Sequence, residues 1–354
     1  MDDDGGPMPG CAAPETMVER RAMAVTMQGL EAGRTDDLLR FSRTVFGERA
    51  YQGTRRYLDW LYGENPAAQG LGDCLVAVED GAVVGCMHRM RLPLAGGGEL
   101  TSLQNHIVSP DVKSGVGLML LRRSAKEAQV AFSPGVNARL AQAYRQLRHP
   151  EVPTYWLWKP LRPFKAAAQL GVARLSPARR EGGAVLSPAE AQRAGLPVTA
   201  QPSEAALAAM ASAMTARFAA TGQPHVAWTR ELVRWRYFSE TGPASLLVGT
   251  PGATPWAVLS YGVRGGLSVA RLMEYEAEGD SSFMKGILRA ARGLGAAAVL
   301  GYTTQDEIRD SLVAAGWRPK KDPPFSFVLG APALAVGAAA ADLGFEALAT
   351  RVAA

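Results

Sequence analysis

A glycine-containing turn opens a helix directly after an apolar stretch near residue 108. The segment reads Val108-Ser-Pro-Asp-Val-Lys-Ser-Gly-Val-Gly-Leu-Met-Leu-Leu. At the first turn of a helix about four backbone N–H groups have no partner within the helix, and the helix dipole adds roughly half a positive charge. Gly115 and Gly117 carry no Cβ that would keep an anion away from these groups. The segment therefore predicts a strand, a turn and a helix that cradle a diphosphate.

A Gly-x-Gly turn alone is weak evidence, because ordinary turns also need glycine. A second polar block follows one helix and one short strand (Gln129 to Phe132) later, with Asn137, Arg139 and Tyr144 on a predicted helix. Together the two blocks resemble the GNAT acyltransferase superfamily. Its members hold coenzyme A on an Arg/Gln-x-x-Gly-x-Gly/Ala turn and complete the site with a later Asn…Tyr helix. Val112 stands where that pattern has Arg or Gln, so one side-chain contact to the cofactor is missing.

The resemblance implies acyl transfer from coenzyme A to an amine, and it assigns the first block to the cofactor. The strand Leu103 to Val108 is expected beside the pantetheine arm, where a backbone N–H of Ile107 or Val108 polarises the acyl carbonyl. Lys113 is expected to add positive charge near the pyrophosphate, and Asn137 to hold the following helix or the cofactor arm. The predicted cofactor-binding residues are Ile107, Val108, Lys113, Ser114, Gly115, Val116, Gly117 and Asn137.

Two side chains are candidates for proton transfer. Tyr144 matches the family's tyrosine near the thioester sulfur, where a hydroxyl with a pKa near 10 protonates the leaving thiolate. The alternative for Tyr144 is a buried helix tyrosine with an ordinary hydrogen bond. His106 lies on the strand beside the acyl group and titrates near neutrality, so it is the candidate base. The alternative for His106 is a core histidine whose hydrogen bonds are satisfied, with ordered water acting as the base.

The chain contains one pattern of elements twice. A Leu-x-Trp-x-Tyr motif around Trp60 recurs as Val-x-Trp-x-Tyr around Trp235, with a leucine directly before the valine. Each copy is followed by two short β runs around a turn, at Cys74 to Cys86 and at Ser245 to Tyr261, which is a hairpin signal. Each copy continues with a strand, a long helix, a strand, a helix and a last strand. This predicts an α/β (α+β) fold of two tandem GNAT-like units, each a mixed, mostly antiparallel sheet flanked by helices.

The second copy is expected to be degenerate. Its cradle position carries four acidic residues between Glu274 and Asp280, which would repel a diphosphate, and Leu312 stands where the first copy has Tyr144. Only the first copy is therefore predicted to bind coenzyme A. The predicted organisation is a disordered segment at 1–30, an acyl-CoA-binding unit at 31–175, a linker at 176–197, the degenerate unit at 198–330 and an alanine-rich helix at 331–354.

Composition limits the class of protein. The chain has 354 residues, 47% of them hydrophobic and 20% charged, which suits about two globular domains. Its three cysteines show no metal or disulfide spacing, and its N-terminus is acidic rather than signal-like, so a cytoplasmic location without a bound metal is predicted. The net charge of +5 comes from scattered residues, which does not indicate nucleic-acid binding. No tract offers the ~20 strongly apolar residues of a membrane span.

These observations predict a GNAT-type N-acyltransferase that moves an acetyl or other short acyl group from acetyl-CoA, or another acyl-CoA, to a primary amine. The acceptor is expected to be a small molecule such as an amino sugar or an amino acid. A second hypothesis is a Fem-type peptidyltransferase, which also resembles two fused GNAT units but uses an aminoacyl-tRNA; the intact diphosphate turn argues against it. A third is a catalytically inactive binding or regulatory protein, supported by Val112. Both a monomer and a homodimer fit the sequence.

Overall fold

The computed structural model describes residues 25–48, 50–112, 115–175, 195–219, 225–264, 266–276, 281–303, 306–321 and 324–330. These residues form two seven-stranded mixed sheets flanked by helices, which confirms the predicted fold class. The strands are β1 Thr26–Gly29, β2 Cys74–Glu79, β3 Ala82–Pro93, β4 Glu99–Val108, β5 Val130–Val136, β6 Glu151–Val152, β7 Tyr155–Pro160, β8 Val198–Thr199, β9 Ser245–Gly249, β10 Trp256–Arg264, β11 Leu267–Glu276, β12 Ala298–Thr303, β13 Arg318–Pro319 and β14 Phe325–Gly330. The helices are α1 Thr35–Phe46, α2 Arg55–Leu58, α3 Val116–Glu127, α4 Ala138–Gln146, α5 Pro163–Leu175, α6 Glu204–Ala219, α7 Arg230–Phe238, α8 Ser281–Gly293 and α9 Asp306–Ala314.

Each sheet has one parallel pair of neighbouring strands and is otherwise antiparallel. The strand orders are β1-β2-β3-β4-β5-β14-β6 and β13-β7-β12-β11-β10-β9-β8. The parallel pairs are β4 with β5 and β11 with β12. Parallel neighbours need a crossover connection. Helix α3 supplies the crossover in the first sheet and α8 in the second, so the two sheets repeat one topology.

Each sheet contains one strand from the other half of the sequence. Strand β7 comes before the predicted linker but pairs with β12 and β13 in the second sheet. Strand β14 comes at the end of the second copy but pairs with β5 and β6 in the first sheet. Each half therefore completes the sheet of the other, and the sheets cross the predicted boundaries at 31–175 and 198–330. Those boundaries remain a proposal.

The hairpins expected after each tryptophan motif are present. In the β2–β3 turn, Asp80 and Gly81 have φ values of +51° and +77°. These left-handed values match the right-handed twist of a hairpin with a two-residue turn. Strands β9 and β10 form the second hairpin.

The N-terminal edge of the first sheet departs from the expectation. Disorder was expected for residues 1–30, whereas Thr26–Gly29 form β1 and pair with β2. The reason is that β2 is buried and apolar and would otherwise leave its backbone unpaired on this edge. Residues 1–24, most of the predicted linker and the predicted helix at 331–354 lie outside the described residues.

The two tryptophan motifs contact each other across the two halves. Trp60 Nε1 donates to the carbonyl of Trp235 at 3.1 Å, and Trp235 Nε1 donates to the carbonyl of Trp60 at 2.6 Å. The two buried rings stack with centroids 5.5 Å apart. Such a reciprocal contact is expected where two similar units are related by an approximate twofold axis. The repeated motif therefore serves to join the two copies.

Three apolar cores hold the fold. One lies on the face of the first sheet that packs α3 and α4, and a second packs α8 and α9 on the second sheet. The third contains residues of both sheets together with α1, α2, α6 and α7, and we call it the shared core. No helix in the described ranges is long and apolar enough to cross a membrane.

Candidate active site

Strands β4 and β5 part from each other in the middle of the first sheet. Their pairing ends where Ser102 lies beside Phe132. Strand β4 then continues to Val108, still paired with β3, and β5 continues to Val136, still paired with β14. In the resulting β4–β5 gap, bounded by residues 103–108 and 133–136, the facing sides of the two strands do not pair with each other. An extended ligand with amide groups can hydrogen-bond to such edges.

The N-terminus of α3 is open to an anion. Gly115 precedes the helix with φ +116°, no side chain in the described part of the chain caps the helix, and its first turn has no acidic residue. A Cβ placed on Gly115 would find no atom within 4 Å. The first hydrogen bond of the helix runs from the Met119 N–H to the Gly115 carbonyl, so the N–H groups before Met119 lie at the open end. The predicted diphosphate cradle corresponds in position to this helix N-terminus, and its role in binding stays a prediction.

The first turn of α3 packs on the end of β4. A Cβ placed on Gly117 would lie 3.2 Å from His106 Nε2 and 3.5 Å from Val108 Cγ2. The His106 imidazole therefore lies beside the predicted cradle, on the face of the sheet that packs α3. This position does not show that the imidazole acts as a base, and its role as the base stays a prediction. The cradle lies at the same end of the strands as the β4–β5 gap, because α3 begins shortly after β4 ends.

Strand β4 contains a β-bulge beside the gap. Cys86 lies opposite Ile107 and His88 opposite Gln104, so two residues of β4, Asn105 and His106, face one residue of β3. Asn105 has φ +47°. A bulge leaves one residue out of the ladder and turns its backbone groups away from the partner strand. The bulge lies directly before Ile107 and Val108, the predicted source of the N–H that polarises the acyl carbonyl.

Tyr144 and Ser133 form a buried pair on the other side of the gap. The Tyr144 hydroxyl donates to Ser133 Oγ at 2.7 Å. Ser133 is the first residue of β5 after its pairing with β4 ends. Burial raises the pKa of Tyr144, against a smaller lowering by Ser133, so the phenol stays neutral. Tyr144 is buried, and its hydroxyl bonds to Ser133 at the wall of the gap; its role in proton transfer stays a prediction.

The other predicted cofactor residues are placed as follows. Asn137 caps α4, and its Oδ1 accepts from the Leu140 N–H at 2.9 Å. This corresponds to the helix-holding role of the prediction. Val116 begins α3 and is buried. Lys113 and Ser114 lie outside the described residues.

In the second sheet two strands also separate, and a tryptophan side chain packs at the point where they do so. Strands β11 and β12 pair as far as Leu272 and Gly301 and then separate. A Cβ on Gly301 would lie 3.0 Å from the ring of Trp317. Gly301 is the counterpart of Ser133 in the second copy, because the number of residues between them equals the number between Tyr144 and its counterpart Leu312. The hydroxyl pair of the first copy is therefore replaced here by glycine and leucine, with an indole packed against the strand.

Two of the four acidic residues expected at the second cradle have other partners. Glu274 is buried and its Oε1 lies 2.9 Å from Arg217 Nη2. Glu276 accepts from Trp256 Nε1 at 2.5 Å. Residues 277–280, which hold the other two, lie outside the described ranges. The expected repulsion of a diphosphate is thus not carried by Glu274, whose carboxylate is directed to the partly buried Arg217.

Glu274→Gln is expected to change how stability depends on pH. Burial raises the pKa of the Glu274 carboxyl, and Arg217 offsets this only in part. A raised pKa in the folded state means that stability is full below the unfolded value, near 4.3, and is lost as pH rises. Glutamine keeps an acceptor for Arg217 and cannot ionise. Urea unfolding should therefore show that the stability of the variant relative to the wild type increases as the pH rises above about 4.3, the ordinary pKa of a glutamate. Parallel pH profiles would contradict the raised pKa.

A separate cavity of about 530 Å³ lies between the two halves. Its floor includes Leu207, Trp235 and Phe238, and its rim includes Glu64 and Glu231. None of the predicted site residues lines it. This cavity is therefore distinct from the β4–β5 gap and the α3 N-terminus.

Comparison with solved structures gives the fold a name. A GCN5-related N-acetyltransferase from Anabaena variabilis ATCC 29413 matches with a TM-score of 0.54 at 9% identity, over 86% of this chain and 72% of that chain. One from Kribbella flavida matches with a TM-score of 0.50 at 15% identity, over 86% and 71%. Saccharomyces cerevisiae N-myristoyltransferase with bound myristoyl-CoA matches with a TM-score of 0.57 at 12% identity, over 94% and 86%. The chain has the GNAT fold.

The likeness confirms the tandem GNAT architecture and goes no further than the fold. No protein-family model matches the sequence. No curated protein matches it either. The predicted cofactor-binding residues are not tested by this likeness and stay a prediction. Sequence reasoning missed Ser133, Asn105 and Tyr57, whose contacts are described here and below; the only available signal was an asparagine inside a strand, since asparagine tolerates positive φ better than other side chains.

Proposed function

We propose that the chain is an N-acyltransferase that transfers a short acyl group from coenzyme A to the primary amine of a small molecule. The proposed acyl group is acetyl, and the proposed acceptor is a molecule such as an amino sugar or an amino acid. The observation that carries the proposal is that the β4–β5 gap and the N-terminus of α3 lie at the same end of the strands of the first sheet. The gap offers backbone partners to an amide-containing arm, and the helix offers N–H groups to a diphosphate. Coenzyme A contains both groups.

The residues around the gap have separate tasks in this proposal. Acyl-CoA supplies the thioester. A backbone N–H at the β4 bulge polarises the acyl carbonyl, because the bulge releases backbone groups from the ladder. The neutral Tyr144 hydroxyl, hydrogen-bonded to Ser133 Oγ, protonates the leaving thiolate of coenzyme A. It does so at the side of the gap where β5 separates from β4. His106, or water, takes the proton of the incoming ammonium.

The closed end of the gap supports a short acyl group. Ser102 and Phe132 form the last β4–β5 pair, and both side chains are fully buried. A long chain would have to displace this packing. The shared core, with α1, α2, α6 and α7, covers the other face of the sheet. This cover favours a small acceptor over a flat protein surface.

Thermal unfolding with and without acetyl-CoA tests the proposal. A ligand at about 100 times its Kd stabilises the folded state by roughly 2.7 kcal/mol, which raises the Tm by several degrees. Candidate amines are then mixed with the protein and acetyl-CoA, and the release of the free coenzyme A thiol is measured. No stabilisation by acetyl-CoA or coenzyme A would contradict the proposal. Salt-sensitive binding of aminoacyl-tRNA in its place would support the Fem-type alternative.

A further inference from the structure

Asn105 is held in a backbone conformation that needs support. Among the described residues three non-glycine residues have positive φ, namely Asp80, Asn105 and Arg148. Asp80 lies in a hairpin turn and Arg148 directly after α4, both ordinary places for this conformation. Asn105 lies inside a strand. Asparagine accepts positive φ better than other side chains, but inside a strand this conformation interrupts the ladder, and a compensating interaction is expected.

The compensating interaction is a hydrogen bond from the shared core. Asn105 Nδ2 donates to the Tyr57 hydroxyl oxygen at 2.7 Å, and both residues are buried. Tyr57 belongs to α2 and lies 48 residues earlier in the chain. This side-chain bond therefore links the bulge to a helix on the shared-core face of the sheet.

Tyr57 is itself rigidly held. Thr54 caps α2, and its Oγ1 accepts from the Tyr57 N–H at 3.2 Å. The Tyr57 ring makes edge contacts with Tyr51 and His88, each at 5.3 Å between centroids, and lies 6.1 Å from Trp60. Burial raises the pKa of Tyr57 well above its ordinary value, so the hydroxyl stays protonated at neutral pH. A fixed ring defines where the Asn105 amide lies.

We propose that Tyr57 is a positioning residue: by holding the Asn105 side chain it fixes the β4 bulge and with it the direction of the backbone N–H groups of Ile107 and Val108, one of which the proposed function assigns to the acyl carbonyl. This inference rests on the proposed function and assigns a part of the site to α2. Tyr57 itself touches neither the acyl group nor the amine. It acts through Asn105, and the quantity it controls is the hydrogen bond to the thioester oxygen.

The test compares acetyl-CoA with coenzyme A in the wild type and in Tyr57→Phe. Phenylalanine keeps the ring and removes the oxygen that accepts from Asn105. We expect Tyr57→Phe to weaken acetyl-CoA binding about fivefold to tenfold, as for one lost hydrogen bond, and to leave coenzyme A binding unchanged. Calorimetry measures both affinities. Difference infrared spectroscopy should also move the thioester C=O stretch of bound acetyl-CoA toward its value in water, and kcat should fall while the KM of the amine is kept.

Tyr62→Phe is the matched control. Tyr62 is a neighbouring buried tyrosine whose hydroxyl bonds to His88 Nδ1 at 2.7 Å and not to Asn105. It should keep the wild-type ratio of acetyl-CoA to coenzyme A affinity. Asn105→Gly removes the tether and tolerates the positive φ, so it should reproduce Tyr57→Phe, and the double variant should lose no more than either alone. If Tyr57→Phe fails to fold, Asn105→Gly carries the test.

The outcomes separate the two proposals. A Tyr57→Phe protein that binds coenzyme A with an unchanged acetyl-CoA ratio and an unchanged C=O stretch overturns the positioning role and leaves the proposed function in place. A wild type that binds neither coenzyme A nor acetyl-CoA overturns both. Equal losses for Tyr57→Phe and Tyr62→Phe would show a general packing effect and would also overturn the specific role.

Discussion

Gly117→Asp is expected to abolish acyl-CoA binding. The substitution places a carboxylate in the first turn of α3, at the point where the proposed diphosphate lies. At an effective dielectric constant of 20, two unit charges about 5 Å apart repel by about 3 kcal/mol, which corresponds to a loss of at least 100-fold in affinity. Calorimetric titration with acetyl-CoA measures this loss. The wild-type rise in Tm with acetyl-CoA should vanish in the variant.

Gly117→Asn separates charge from bulk. Asparagine has nearly the shape of aspartate, and in both variants the new Cβ lies 3.2 Å from His106 Nε2 unless the imidazole moves. The neutral variant should lose much less affinity. Added salt should restore part of the binding of the aspartate variant and little of the asparagine variant, because salt screens charge only. Unchanged affinity in Gly117→Asp would show that the diphosphate does not bind at this turn.

The features that sequence analysis predicted correctly are set by neighbouring residues. The β2–β3 hairpin follows from Asp80 and Gly81, which accept left-handed φ between two apolar runs. The start of α3 follows from Gly115. The duplicated architecture follows from one motif seen twice, around Trp60 and Trp235. In each case a few contiguous residues carry the physical cause, so the sequence suffices.

The features that sequence analysis missed depend on distant residues. The exchange of β7 and β14 follows from which edge each strand finds in three dimensions, and both are short apolar strands that suit either sheet. The bond between Tyr57 and Asn105 joins two segments with no shared pattern. The partner of Glu274 was not predicted, because Arg217 lies 57 residues away in the sequence, on a helix of the shared core. Such pairs become visible only in the folded chain.

Tyr144→Phe is expected to lower kcat by about 100-fold, within the usual effect of a general acid, with little change in acetyl-CoA affinity. The hydroxyl bonds to Ser133 at the wall of the gap, and it is the proton donor in the proposed reaction. Burial raises the pKa of Tyr144, so the phenol remains a donor up to and above about pH 10, its ordinary pKa. The wild-type rate should therefore show no alkaline loss from this residue below that pH. Initial rates from about pH 6 to 10 and calorimetry check both statements.

Ser133→Ala tells whether the proton passes directly or through the serine. Ser133 comes first after the parting of the strands, and Tyr144 lies behind it, fully buried. If the serine hydroxyl relays the proton, Ser133→Ala should lower kcat nearly as much as Tyr144→Phe, and the double variant should add little. If Tyr144 donates directly, Ser133→Ala should keep most of kcat. A Tyr144→Phe protein that loses about 1 kcal/mol of stability but retains full kcat per folded molecule would make the tyrosine a packing residue, because one buried hydrogen bond accounts for a loss of that size.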